Sequence, residues 1–151
     1  MEVAIAQLDK FDREILDIVS TDGRITITEL ANRIGLSKTP CHARLRRLEA
    51  QGFILGYRAH LDLMKVGLNH VAFVQVKLTD TRDKALNAFN AAVLRVPEIE
   101  QCHMIAGSFD YLLKVRTTDI TEYRSVLGEQ ISALPHVANT STFVAMQSVR
   151  D

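Results

Sequence analysis

Apolar residues near the start of the chain recur along one helical face: Leu8, Phe11, Ile15 and Ile18 follow at steps of three, four and three. This spacing predicts a helix opened by Asp9 as N-cap, with acids crowding its first turns and Gly23 beyond its end. A second helix is predicted from Thr26. Thr26-Ile27-Thr28-Glu29 has the reciprocal spacing of a capping box, Leu30, Ala31 and Ile34 give the apolar face, and Gly35 ends it. A third helix is predicted from Lys38 to Gln51, with Ser37 as N-cap and Gly52 as the stop. Pro40 is then the third helical residue, where the amide has no intrahelical partner to lose.

Between the second and third helices, Gly35-Leu36-Ser37 leaves room only for a tight turn. Two helices so joined, with a stabilising helix ahead, predict a helix-turn-helix, whose second member lies in the DNA major groove. On a helical wheel Cys41, Leu45 and Leu48 share one side, and Thr39, His42, Ala43, Arg46 and Arg47 take the other. The candidate DNA-binding residues are therefore Ser37, Lys38, Thr39, His42, Ala43, Arg46 and Arg47. Arginine can read guanine with two bonds or hold a phosphate, and alanine lets the backbone come close. The competing reading of Arg44, Arg46 and Arg47 is a merely solvated face. Phe53 to Ala59 is rich in strand formers and reads as a wing or a connecting strand. Little periodicity follows from Leu61 to Leu68, so the domains are expected at 1–60 and 69–151 with a linker at 61–68.

The second domain alternates periods. Strands are expected at 70–78, 99–105, 111–117 and 140–149. Helices are expected at 80–95, with Leu86, Phe89 and Val93 inward, and after the cap Asp119, with Tyr123, Val126, Leu127, Ile131 and Leu134 inward. Pro97 and Pro135 stop them. The order βαββαβ is ferredoxin-like, so the fold class is α+β: a winged helix-turn-helix domain followed by a ferredoxin-like domain. Both helices cover one face of such a sheet. The alternation puts apolar residues on both faces: Ala72, Val74 and Val76 against Val71 and Phe73, Tyr111, Leu113 and Val115 against Leu112, and Val144 and Met146 against Phe143 and Ala145. A bare apolar face predicts a face-to-face homodimer.

Composition changes little in this picture. The 151 residues are 47% hydrophobic and 24% charged, ordinary for one medium or two small globular domains. No uncharged apolar run reaches about 18 residues, so no membrane span is expected. The start lacks a basic and then apolar leader pattern, and the only cysteines are Cys41 and Cys102, so a reducing cytoplasm is expected. Cys41-His42 and Cys102-His103 are adjacent pairs whose side chains point apart, so no metal site is expected. None of the familiar nucleophile, phosphate-loop or zinc-protease motifs occurs, and no catalytic residue is assigned.

Charge adds more. The net charge is zero. Yet residues 1–32 hold three bases and seven acids, while residues 33–58 hold six bases and one acid. One basic segment in a neutral chain is what a polyanion would meet.

Gly107-Ser108-Phe109-Asp110 has two readings. One is a plain hairpin turn, with Gly107 supplying an unusual dihedral and aspartate capping it. The other is a small-molecule site, with turn amides for a carboxylate and Asp110 for an ammonium, which suits an amino-acid zwitterion. Thr140 and Thr142 share a strand face and could add hydroxyls.

The stretches LDKFDREIL, DGRITITELANRIGLSKTPCHARLRRLEAQGFILGYRAHLD, GSFDYLLKVRTTDITEYR and LPHVANTSTFVAMQSV resemble the Lrp/AsnC (leucine-responsive, feast–famine) transcription factors over nearly the whole chain. The resemblance implies a cytoplasmic, nucleoid-associated regulator of amino-acid metabolism genes, in which the first domain binds double-stranded DNA. It implies a second domain that binds an amino acid, centred on the Gly-x-x-Asp turn. Gly107, Ser108, Asp110 and Tyr111 then fall at the effector turn, and Thr140 and Thr142 on the facing strand. It further implies homodimers assembling to tetramers or octamers, and no cofactor beyond the effector. SKTPC and DYLLKVR look most like the leucine-responsive branch and its relatives that control catabolism of single amino acids such as proline. Ser108 departs from relatives with an acid or larger polar residue there. Two other readings are a siroheme decarboxylase-like enzyme and a nucleoid-packing protein without an effector.

Overall fold

The computed structural model describes residues 8–149. Helix α1, Lys10–Thr21, starts from Asp9, whose carboxylate accepts the Asp12 amide at 2.9 Å while the Asp12 carboxylate accepts the Asp9 amide at 3.2 Å. The capping box is thus here, built from two aspartates. Helix α2 is Ile27–Ile34. Thr26 Oγ1 accepts the Glu29 amide at 3.2 Å, but the Glu29 carboxylate accepts from Arg33 Nε at 3.0 Å, and only half of the box expected there forms. Gly35 ends α2 at φ +71°, a left-handed turn that glycine adopts without steric cost. Helix α3 is Lys38–Ala50; Ser37 stands at its N-cap position but makes no side-chain cap bond. Ile15, Leu30, Ala31, Ile34, Cys41 and Leu48 form the core between the three helices, with Leu45 partly buried against it.

Beyond Gly52, at φ +75°, the sequence predicts a wing or strand, but 53–59 is irregular. Phe53 and Ile54 pack on the helical core. The Tyr57 hydroxyl donates to Glu49 Oε1 at 2.9 Å, and its ring lies against Gly23. Gly56, at φ +152°, interrupts the extended run, and no described strand pairs with it. A strand without a ladder partner has no regular hydrogen bonding to hold it.

The chain divides into two units, one ending at Leu61 and one beginning at Asp62. The second contains β1 (His70–Leu78), α4 (Asp83–Val93), β2 (Ile99–Met104), β3 (Tyr111–Thr117), α5 (Ile120–Val126) and β4 (Val137–Val144). The sheet is antiparallel in the order β2-β3-β1-β4, the ferredoxin-like topology. Helix α4 starts three residues later than the sequence predicts. Asp80 instead holds the Arg82 guanidinium at 2.7–3.0 Å, and Arg82 takes the N-cap position. Asp119 caps α5 by accepting from the amides of Thr121 and Glu122, and α5 runs on into a wider π turn, Leu127–Ile131. Strand β4 begins and ends earlier than expected. His136, at φ +64°, turns the chain and its carbonyl accepts from Thr79 N at 2.8 Å, so pairing starts with Val137 opposite Leu78.

Ala72, Val74, Val76, Tyr111, Leu113 and Val115 are buried beneath α4 and α5 with Phe89, Val93, Tyr123 and Val126. Thr140, Thr142 and Val144, paired with Val76, Val74 and Ala72, belong to that side of the sheet. The other face is more polar than the sequence predicts. Phe73 and Phe143 pair across strands there, but Gln75, Lys77, Lys114 and Arg116 share it, and Glu100 binds both Lys114 and Arg116.

Candidate functional site

All seven DNA-binding candidates, Ser37, Lys38, Thr39, His42, Ala43, Arg46 and Arg47, are exposed on or at the start of α3. The side of α3 turned inward is Cys41 and Leu48, fully buried, with burial pushing the Cys41 thiol up from its ordinary pKa. The three arginines of α3 differ in their surroundings. Arg44 Nη1 donates to Asp9 Oδ2 at 2.6 Å and Asp12 Oδ1 at 2.9 Å, and its guanidinium lies 5.5 Å from the centre of the Phe11 ring. Arg47 Nη2 donates to Asp12 Oδ2 at 2.5 Å. Arg46 has no hydrogen bond or ion pair among the described residues, nor have Lys38 and His42. The acidic excess of residues 1–32 and the basic excess that follows are therefore partly one structural fact, since Asp9, Asp12 and Glu29 hold Arg44, Arg47 and Arg33. The asymmetry left for a polyanion is smaller than the sequence count. The Asp9 carboxyl is held below its ordinary pKa by the Asp12 amide and by Arg44, and Arg44 is raised in turn by Asp9 and Asp12.

The facing pairs Asp9/Asp12 and Arg44/Arg47 escape the sequence reading, which takes the acids as α1 first-turn residues and Arg47 as an outward one. The available signal is that each pair is spaced i, i+3, so each lies on one helical face.

In the second unit, the amides of Gly107, Ser108 and Phe109 make no hydrogen bond among the described residues. Asp110 is bound into the sheet: its amide donates to Val76 O at 2.9 Å, and its carbonyl accepts from Ile105 N at 2.9 Å. Its Oδ2 accepts the Leu78 amide at 2.7 Å, and Lys77 Nζ lies 3.4 Å from Oδ1. Its carboxylate therefore brackets β1 to the turn. The unusual dihedral expected of Gly107 is not there: its φ is outside the left-handed region, and a Cβ would meet only Ile105 Cγ2, at 3.7 Å. Tyr111 is not at a surface. It is 2% exposed, its hydroxyl donates to Asn90 Oδ1 at 2.8 Å, and its ring centre is 4.4 Å from that of Phe89. Burial pushes its phenol up from the ordinary pKa.

Thr140 and Tyr111 both pair with Val76, so they stand in one cross-strand row, two strand spacings or about 10 Å apart. The Thr142 and Tyr123 hydroxyls are 2.5 Å apart. The structure thus pairs Asp110, at the end of the turn that holds Gly107 and Ser108, with Lys77, a neighbour the sequence reading passes over. Tyr111, Thr140 and Thr142 all lie on the helix side of the sheet, Tyr111 buried, Thr140 half-buried and Thr142 exposed. Among the described residues no three His, Cys, Asp or Glu side chains are grouped as a metal site.

Residues 8–54 match a model described as winged helix-turn-helix DNA-binding, and residues 71–151 match the Lrp/AsnC ligand binding domain. A proline dehydrogenase transcriptional activator of Rhizobium radiobacter is 61% identical over 95% of this chain and 92% of its own length. The leucine-responsive regulatory protein of Escherichia coli K12 is 46% identical over 95% of this chain and 87% of its own. Among solved structures, a transcriptional regulator of Neisseria meningitidis in complex with L-Met superposes with a TM-score of 0.88 at 31% identity, covering 96% of this chain and 94% of that one.

Proposed function

The chain belongs to the Lrp/AsnC family of transcriptional regulators, and on that premise we propose which of its surfaces do the work and which amino acid it answers to. Its function is that of a DNA-binding regulator that responds to an amino acid. The DNA surface is the outer side of α3. One observation carries this assignment: Lys38, Thr39, His42 and Arg46 stand together and exposed, and their cations have no internal partner among the described residues. Arg46 is the base reader, and Ser37, Lys38 and Thr39 meet phosphate at the start of α3, where free helix amides favour an anion. Ala43 lets the helix approach, and Arg47 contacts the backbone.

The effector site is built around the turn 107–110. Its free amides suit a carboxylate, and Lys77 adds a cation beside Asp110. Asp110 Oδ1, loosely held by Lys77, is the oxygen open to an ammonium group, while Oδ2 keeps the turn on β1. Thr140 and the exposed Thr142 shape the β4 side, whereas the buried Tyr111 supports the site from within. Proline is the first effector to test, because the relative at 61% identity is named for activating proline dehydrogenase. The chain works as a homodimer joined through the open sheet face around Phe73 and Phe143, and higher assemblies form from such dimers. It acts in the cytoplasm on the nucleoid; no described helix is long and apolar enough to cross a membrane.

Thermal melting with each of the twenty amino acids tests the effector assignment. A ligand at about one hundred times its dissociation constant stabilises by about 2.7 kcal/mol, and proline is expected to raise the melting temperature. A chain that no amino acid shifts would contradict the effector site.

A further inference from the structure

We infer that Asp12, a buried carboxylate of α1, is a positioning residue for DNA backbone contact, holding Arg47 so that its remaining donors meet a phosphate. The inference rests on the assignment of the outer side of α3 to DNA. Asp12 is 1% exposed and accepts from three donors: the Asp9 amide, Arg44 Nη1 and Arg47 Nη2. The two arginines it binds are not equivalent. Arg44 is 27% exposed, shares Nη1 between two aspartates and lies over Phe11, so it is committed to the α1–α3 contact. Arg47 is 46% exposed and is bound through Nη2 alone.

A guanidinium is planar and carries five donors. Anchoring one Nη2 hydrogen restrains the plane and leaves the second Nη2 hydrogen of Arg47 to donate outward beside Nε or Nη1 as a two-point fork. Such a rigid fork matches two oxygens of one phosphate. A long side chain fixed beforehand also loses less rotamer freedom on binding than one that waves in solvent. Arg46, one residue away and without an anchor, keeps the freedom to seek a base edge. Arg46 and Arg47, adjacent in sequence, therefore differ in role because of a residue 35 positions earlier.

Charge alone makes the opposite prediction. Removing an acid from the DNA-binding unit lowers repulsion of the phosphates and should tighten binding. The test uses the full chain and a fluorescein-labelled mixed-sequence duplex, with anisotropy read across a series of salt concentrations. Asp12→Asn and Arg47→Lys are compared with wild type, and melting curves establish that each is folded at the assay temperature. Both variants are expected to bind about tenfold more weakly, the loss of one charge-assisted bond. The plot of log affinity against log salt should also become shallower by about one unit. Lysine keeps the charge of Arg47 but cannot serve aspartate and phosphate in one plane, so its defect isolates the fork. Asp12→Asn binding as tightly as wild type or tighter, or Arg47→Lys keeping both affinity and slope, would overturn the inference. If Asp12→Asn is unfolded, Arg47→Lys alone decides, since it leaves Asp12 paired with Arg44. A wild-type chain without salt-dependent binding would overturn this inference and the α3 assignment together.

Discussion

Single residues in this chain divide by what their neighbours leave free. Asp110 has one oxygen fixed by the Leu78 amide and the other loosely held by Lys77. Asp110→Ala is therefore expected to abolish the amino-acid response in a calorimetric titration and also to lower stability, by about 1–3 kcal/mol for the partners left unmatched. Retained amino-acid affinity would confine Asp110 to bracketing the turn. Gly107→Ala, by contrast, should leave the melting temperature close to wild type, because its φ is not left-handed and the nearest contact is an ordinary one. A sequence shows Gly-x-x-Asp as a turn but does not reveal the dihedral, so the need for glycine at 107 is not legible in it. Tyr111 misleads for a related reason. Its place beside Asp110 suggests the site, but strand alternation turns adjacent side chains to opposite faces, and Tyr111 faces Phe89.

At the scale of elements, the caps are the features that local sequence specifies best. Asp9 and Asp119 act as N-caps and Gly35 and Gly52 stop their helices, as the spacing predicts. Gly35→Ala should cost about 1–2 kcal/mol by forcing a Cβ into φ +71°, read as a lower denaturation midpoint. Long-range partnership is what the sequence hides. The capping box sits on α1 rather than α2 because Glu29 prefers Arg33, and the run 53–59 has strand-forming residues but no strand to pair with among the described residues. The Asp9 cap also carries a pH signature. Its folded pKa lies below the ordinary value, so its stabilisation is complete above the ordinary carboxylate range and is lost as pH falls through the folded value. Asp9→Asn is expected to flatten that acid limb of the stability profile. A profile identical to wild type would show that the Asp9 pairing contributes nothing to folding.

For the whole molecule, each unit has its own core, one around Ile15, Leu30 and Leu48 and one beneath the sheet. A fragment starting at Asp62 is expected to fold alone and to scatter light as a dimer at micromolar concentration. Phe73→Glu, on the open sheet face, should convert it to a monomer, and an unchanged mass would place the dimer contact elsewhere. In the other unit, the outer side of α3 is proposed to bind DNA through Lys38 and Arg46. The most direct test is anisotropy of a duplex about 30 base pairs long, room for two half-sites one helical turn apart, titrated with the full chain and with Lys38→Ala/Arg46→Ala. Both residues are exposed, so the double variant should melt like wild type. Wild type is expected to bind in a salt-sensitive way, and the variant at least about tenfold more weakly. Equal binding by a folded variant would contradict the α3 assignment.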